Sequence, residues 1–99
     1  MMNYLEANQI IQETLNSLVL SGMLRDKISV EQNTVILGKG SSLDSITFIT
    51  FITDLEEKLS QKTGKECYFV IDDIGSFDIN NPFLSVEAIA NYMVSIAGQ

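Results

Sequence analysis

A stretch near the middle of the chain joins a loop rich in glycine and serine to a segment with the periodicity of an amphipathic helix. It opens with Gly40-Ser41-Ser42-Leu43, and the next residue, Asp44, is a good helix N-cap. Apolar residues then recur at steps of three and four, which predicts one helical stripe: Ile46, Ile49, Ile52, Leu55 and Leu59. Two phenylalanines, Phe48 and Phe51, widen this stripe. The remaining chain must therefore supply surfaces that cover an amphipathic helix.

The polar residues of the same segment are expected to face away from the stripe: Thr47, Thr50, Asp54, Glu57 and Lys58. Ser45 falls in the first turn, directly after the cap. Because Asp44 already serves as the cap, the Ser45 hydroxyl is left accessible near the positive end of the helix dipole. A hydroxyl in that position suits the attachment of a phosphate-linked group.

Two further segments have helical periodicity. Residues 3–20 carry a stripe of Leu5, Ala7, Ile11, Leu15, Leu18 and Val19. Ser85 is a cap for a last helix that Gly98 ends, with a stripe of Val86, Ile89, Ala90, Met93 and Ile96. We predict an all-α fold in a single domain, residues 1–99: a small antiparallel bundle of three main helices plus one short helix around 72–76.

The connections carry weaker signals. Val35-Ile36-Leu37 interrupts the long connection 21–44, and we expect it to drop into the core. Cys67-Tyr68-Phe69-Val70-Ile71 favours a strand, yet no convincing second strand is available to pair with it. We therefore expect an extended segment packed against the helices.

Composition excludes several classes of function. The formal charge of −7 argues against binding to nucleic acid or an anionic membrane and favours partners with basic surfaces. Cys67 is the single cysteine, so neither an intrachain disulfide nor a cysteine-based zinc site can form. With neither a signal peptide nor an apolar run long enough to span a bilayer, we expect a cytoplasmic protein. We also expect a monomer.

Catalytic patterns fail on inspection. The chain contains no histidine, so a Ser–His pair is impossible. Gly38-Lys39-Gly40-Ser41 lacks the leading glycine and the Ser/Thr after lysine that a phosphate-binding loop needs. Asp78-Ile79-Asn80 begins like a calcium loop, but Phe83 and Ile89 stand at its key later positions. We predict neither catalytic residues nor a metal site, and hence no enzyme.

Leu43-Asp44-Ser45-Ile46 resembles the Asp-Ser-Leu/Ile signature of acyl carrier proteins. The resemblance extends to the Leu55-Glu56-Glu57-Lys58-Leu59 end of the helix and to Asn81-Pro82-Phe83-Leu84-Ser85-Val86 before the last helix. It implies an acyl-carrier-like fold with a 4′-phosphopantetheine arm on Ser45, which would hold acyl groups as thioesters. It also implies partners: a phosphopantetheinyl transferase of the holo-acyl-carrier-protein synthase type, and the acyl-loading and acyl-processing enzymes of fatty acid or polyketide biosynthesis.

The resemblance further implies roles for the neighbours of Ser45. Asp44 would face the transferase, and Ile46 would pack inward, fix the junction and contact partners. Thr47 and Thr50 stand where the family often has carboxylates, which leaves Asp54 and Glu57 among the acids of the outward face. We therefore assign partner binding to Asp44, Ile46, Thr47, Asp54 and Glu57. The stripe with Phe48, Phe51 and Ile52 is core, or it also lines a cleft for a tethered acyl chain.

Alternatives remain open. Ser42 is a rival attachment site because Ser42-Leu43-Asp44 imitates the Ser-Leu-Asp form of fatty-acid carriers, although it needs a three-residue insertion before Leu55. The chain could also be an unmodified helical adaptor with the carrier fold. A peptidyl or aryl carrier is a further alternative, but its usual Gly-Gly-His-Ser form differs from Leu43-Asp44-Ser45.

Overall fold

Three α-helices hold most of the hydrophobic residues in the computed structural model, which describes residues 2–74 and 77–98. They are α1 (Tyr4–Leu20), α2 (Ser45–Thr63) and α3 (Val86–Ala97). Two short strands, β1 (Val35–Leu37) and β2 (Leu84–Ser85), and a 3-10 helix (Ile71–Asp73) complete the described elements. The expected short helix around 72–76 corresponds in part to this 3-10 helix, while Gly75 and Ser76 lie outside the described residues.

Each α-helix begins at a residue whose side chain caps it. Asn3 accepts a hydrogen bond from the Glu6 backbone N–H, and the Glu6 carboxylate accepts one from the Asn3 N–H, which forms a capping box. Asp44 caps α2, and the Ser85 hydroxyl caps α3 by accepting from the Ala88 N–H at 3.2 Å. The predicted cap residues of α2 and α3 are thus confirmed.

The ends of the helices also follow local signals. α2 continues to Thr63, about one turn beyond Leu59, and stops at Gly64, whose φ of 75° lies in the left-handed region that glycine adopts readily. Gly98 ends α3 as predicted. None of the helices in the described residues is long and apolar enough to cross a membrane.

The core is shared by all three helices, because α1 packs against both α2 and α3. The fully buried large side chains include Ile11, Leu15, Phe51, Leu55, Leu59, Ile89 and Met93. The predicted α1 stripe is only partly right: Leu5 is 65 % exposed, whereas Ile10 and Thr14 are buried. The α3 stripe is buried except for half-buried Ile96.

A two-stranded antiparallel sheet, which the all-α prediction missed, joins the segment before α2 to the segment before α3. β1 pairs with β2 in the register Val35↔Ser85 and Leu37↔Leu84, with an irregularity between Val35 and Leu37. Ile36 is fully buried, as expected for the apolar anchor. The strands are too short for an alternation of apolar and polar residues to reveal them. Each is also stable only when paired with the other, which lies far away in the sequence.

Candidate functional site

The first turn of α2 is organised by the Asp44 carboxylate. Its side chain accepts a hydrogen bond from the Thr47 backbone N–H at 2.8 Å, and its own carbonyl accepts from the Phe48 N–H. The Thr47 backbone N–H, followed by the Thr47 hydroxyl, lowers the pKa of Asp44 from its ordinary value, since both stabilise the charged form. Asp44 is therefore an ionised cap at neutral pH.

Ser45 follows this cap as the first residue of α2, and its side chain is exposed. Within the described residues its hydroxyl makes no hydrogen bond, and the Thr47 N–H near it is already bound by Asp44. The result is an accessible hydroxyl whose backbone is fixed by the helix behind it. The helix dipole adds a positive contribution at this position, which the neighbouring Asp44 carboxylate offsets.

The loop before α2 is held in place by hydrogen bonds of Ser41 and by the buried side chain of Leu43. The Ser41 hydroxyl donates to the Ile36 carbonyl of β1 and accepts from the Leu43 N–H at 3.0 Å, while the Leu43 side chain is buried. Ser42 is exposed, so exposure alone does not distinguish it from Ser45. They differ in setting, since Ser42 lies in the loop and Ser45 begins the helix.

Gly38 brings this loop against the segment that precedes β2. Its φ is 108°, and a Cβ added to it would lie 2.6 Å from the Pro82 carbonyl oxygen. Because a side chain would be strained by the backbone and would also clash, the close approach of the two loops requires glycine here.

The direction of the α2 stripe differs from the sequence expectation. Ile46 and Ile49 are 71 % and 63 % exposed, whereas Thr47 is buried at 3 %. The buried side of the helix is set by Phe48, Phe51, Ile52, Leu55 and Leu59. At 100° per residue, Ile46 lies about 160° from Phe48 around the helix, which turns it to the opposite side. The expectation that Ile46 packs inward is therefore wrong, as is the expectation that Thr47 faces away.

These positions decide which of the five proposed partner-binding residues can reach a partner. Asp44, Ile46 and Glu57 are exposed, and Asp54 is half-buried. Thr47 contributes through its bonds to Asp44 and does not present its side chain at the surface. Ile49 is a surface residue that the sequence analysis missed. Its shared helical face with polar Thr53 and Glu57 could have indicated this.

Ser45 does not line the two main clefts that the described residues form. Two adjoining clefts of about 550 Å³ and 450 Å³ lie beside α3, and both are lined by Asp73, Tyr92 and Ser95. Phe48, Phe51 and Ile52 are buried in the core and line neither cleft. The structure therefore leaves these three side chains as core residues.

Metal chemistry has no visible basis in the described part of the chain. No group of three or more His, Cys, Asp or Glu residues there could hold a metal ion. The Cys67 thiol is buried beside the Thr63 hydroxyl, at 3.5 Å. Comparison of the whole chain with protein-family models, curated proteins and solved structures finds no match.

Proposed function

We propose that the chain is an acyl carrier protein that carries a 4′-phosphopantetheine arm on Ser45. The observation that carries this proposal is the first turn of α2, where Ser45 is exposed and makes no hydrogen bond within the described residues. The neighbouring Asp44 satisfies the Thr47 N–H and so leaves the serine hydroxyl free to react. The resemblance of Leu43-Asp44-Ser45-Ile46 to the carrier signature supplies the identity of the group.

In this proposal a phosphopantetheinyl transferase moves the arm from coenzyme A to the Ser45 oxygen. The thiol at the end of the arm then holds an acyl group as a thioester and presents it to acyl-loading and acyl-processing enzymes. Exposed Ile46 and Ile49 provide an apolar contact surface beside the arm, and Asp44, Asp54 and Glu57 provide negative charge. Charge of this kind steers partners with basic surfaces toward the helix.

The test is the intact mass after incubation with coenzyme A and a broad-specificity phosphopantetheinyl transferase. We expect the wild-type protein and Ser42→Ala to gain one phosphopantetheinyl group and Ser45→Ala to gain none. Ser45→Ala should fold normally because the serine side chain makes no hydrogen bond within the described residues. Loss of the gain only in Ser42→Ala would move the arm to the rival site.

A second candidate function is an unmodified adaptor that uses the same face of α2. The exposure of Ile46 and Ile49 favours it, because an apolar surface of this kind contacts partners with or without an arm. Absence of any mass gain with several transferases would contradict the carrier proposal and support the adaptor. A peptidyl or aryl carrier would show the same mass gain, and loading assays with amino acids and aryl acids would identify it.

A further inference from the structure

Residues 67–70, called the strap below, connect α2 to the 3-10 helix outside any helix or strand, and the backbone at Val70 is extended. Burial alternates along the strap: Cys67 and Phe69 are buried, whereas Tyr68 and Val70 are 65 % and 50 % exposed. The Phe69 ring packs edge-on against Tyr92 of α3, with ring centroids 5.4 Å apart. The strap thus has the side-chain pattern of a half-buried strand, yet it pairs with neither described strand.

Side chains from the helices take the place of a neighbouring strand on one edge of the strap. The Cys67 N–H donates to the Ser60 hydroxyl at 2.9 Å, and the Phe69 N–H donates to the Glu56 carboxylate at 2.7 Å. Both acceptors belong to α2, so the N–H groups on this edge are satisfied. The expected packing of the segment 67–71 against the helices is therefore confirmed for residues 67–70, whereas Ile71 belongs to the 3-10 helix.

The opposite edge of the strap is only partly satisfied. The Val70 N–H donates to the Tyr92 hydroxyl of α3 at 3.0 Å. Successive residues of an extended chain direct their backbone groups to opposite edges, so those of Tyr68 lie on the α3 side with the Val70 N–H. The Tyr68 backbone makes no hydrogen bond within residues 2–74 and 77–98. An unpaired edge of this kind is a template for another extended chain.

The cleft of about 550 Å³ lies along this unpaired edge. Tyr68 and Val70 line it from the strap, and Tyr92, Ser95 and Ile96 line it from α3. It continues into the second cleft, of about 450 Å³, which reaches Glu87. Together they form a groove with aromatic and aliphatic side chains beside an open backbone edge.

The charge of the groove is mainly negative. Glu66 and Asp73 line the first cleft and Asp73 and Glu87 line the second, while Lys65 also lines the first. From residue 66 to residue 99 the sequence has five acidic residues and no Lys or Arg. A ligand with positive charge therefore gains favourable electrostatic interactions along this groove.

We propose that the groove between the strap and α3 is a docking site for an extended, basic segment of a partner protein. The segment adds as a strand to the Tyr68 edge, its apolar side chains contact Val70 and Ile96, and its Lys or Arg side chains reach Glu66, Asp73 and Glu87. The unpaired Tyr68 backbone favours an extended peptide as the ligand, and the three acidic residues favour a positively charged one. The site is separate from Ser45, so docking does not require the arm.

The test uses a capped synthetic peptide of alternating lysine and valine, titrated into ¹⁵N-labelled Ser45→Ala protein and followed by amide chemical shifts. The Ser45→Ala background makes the result independent of the carrier function. We expect the shifts to concentrate at 66–70 and 92–96, with Tyr68 prominent. The matched peptide of alternating glutamate and valine should produce none of them.

Two comparisons test the two halves of the proposal separately. A lysine–valine peptide methylated at every backbone nitrogen keeps its charge but has no N–H to donate, and its methyl groups hinder close approach along both edges. We therefore expect it to cause no shift at Tyr68. In the protein, Glu66→Gln and Asp73→Asn should each weaken binding about two- to fivefold, as removal of an exposed ion pair does. Glu13→Gln on exposed α1 is the matched control and should leave binding unchanged.

Several results would overturn the proposal. Equal binding of the N-methylated peptide would show attraction by charge without strand addition. Shifts spread over the acidic residues of α1 and α2 would show non-specific association. Absence of binding at millimolar peptide, or concentration-dependent dimerisation of the protein through the same residues, would exclude a basic segment as the occupant.

Discussion

At the start of α2, Asp44 caps the helix and Ser45 presents an accessible hydroxyl, so capping and exposure of a hydroxyl belong to two different residues. The Asp44 carboxylate binds the Thr47 N–H, and the Ser45 hydroxyl is left without an intramolecular partner within the described residues. Serine is itself a good cap, and a capping serine uses its oxygen as a hydrogen-bond acceptor. The acid at the preceding position therefore keeps the hydroxyl available.

The lowered pKa of Asp44 gives a pH dependence of known sign. Its folded-state pKa lies below that of the unfolded chain, so its stabilising effect is complete above the unfolded value and is lost as pH falls through the folded one. We expect Asp44→Asn, which keeps a capping oxygen but does not titrate, to lose less stability than wild type upon acidification. Thermal midpoints measured from neutral pH to about 2.5 test this.

Glu6 is shared by both proteins in that comparison, so its effect cancels. Its pKa is also lowered, first by the hydrogen bond from Lys62, whose Nζ lies 3.0 Å from the carboxylate, and then by the Asn3 N–H. Parallel midpoint curves for wild type and Asp44→Asn would contradict the assigned role of the Asp44 carboxylate.

At the scale of elements, local chemistry fixes where the helices begin and end. The caps at Asp44 and Ser85 and the stop at Gly98 act on adjacent backbone, so the sequence is sufficient to predict them. The rotation of α2 is different, because apolar residues occupy both sides of its first turns. Packing against the other two helices decides that Phe48 points inward and Ile49 outward.

The strap shows a second limit of prediction from sequence. Its extended form was predicted from composition, but the residues that hold it were not. In the sequence, nothing distinguishes Glu56 from the other acidic residues of α2. Its hydrogen bond from the Phe69 N–H joins residues 13 positions apart, on either side of the turn at Gly64. A contact of this kind requires the chain to reverse direction, which residue periodicity does not encode.

Glu56 should contribute to stability in a way that its neighbour Glu57 does not. We expect Glu56→Ala to destabilise the protein by about 1–2 kcal/mol, because it leaves the Phe69 N–H without its acceptor in a partly buried position. Glu57→Ala, at an exposed position of the same helix, should change the free energy of unfolding by at most about 0.5 kcal/mol. Urea unfolding of both variants gives the comparison, and equal effects would contradict the role of Glu56.

At the scale of the whole molecule, all three helices share one hydrophobic core, so a substitution in the core lowers the stability of the whole fold. Leu55 is fully buried, whereas Ile49 on the same helix is 63 % exposed. We expect Leu55→Ala to cost about 2–5 kcal/mol, a large part of the stability of a domain of this size, and Ile49→Ala to cost about 0.5 kcal/mol or less.

Urea or thermal unfolding distinguishes the two variants, and circular dichroism checks that both retain helix. A large loss with Ile49→Ala and a small one with Leu55→Ala would mean that α2 is rotated relative to the structure.

The small sheet has a consequence for the order in which the chain acquires its structure during synthesis. The loop that leads to Ser45 rests on β1, and the residues before β1 bind the start of α3: Gln32 contacts Glu87 across 55 positions, and the Val86 N–H donates to the Thr34 carbonyl. These contacts cannot form until residues through Glu87 have left the ribosome. A nascent chain that has exposed only α1 and α2 therefore displays Ser45 before the loop that leads to it has its final support.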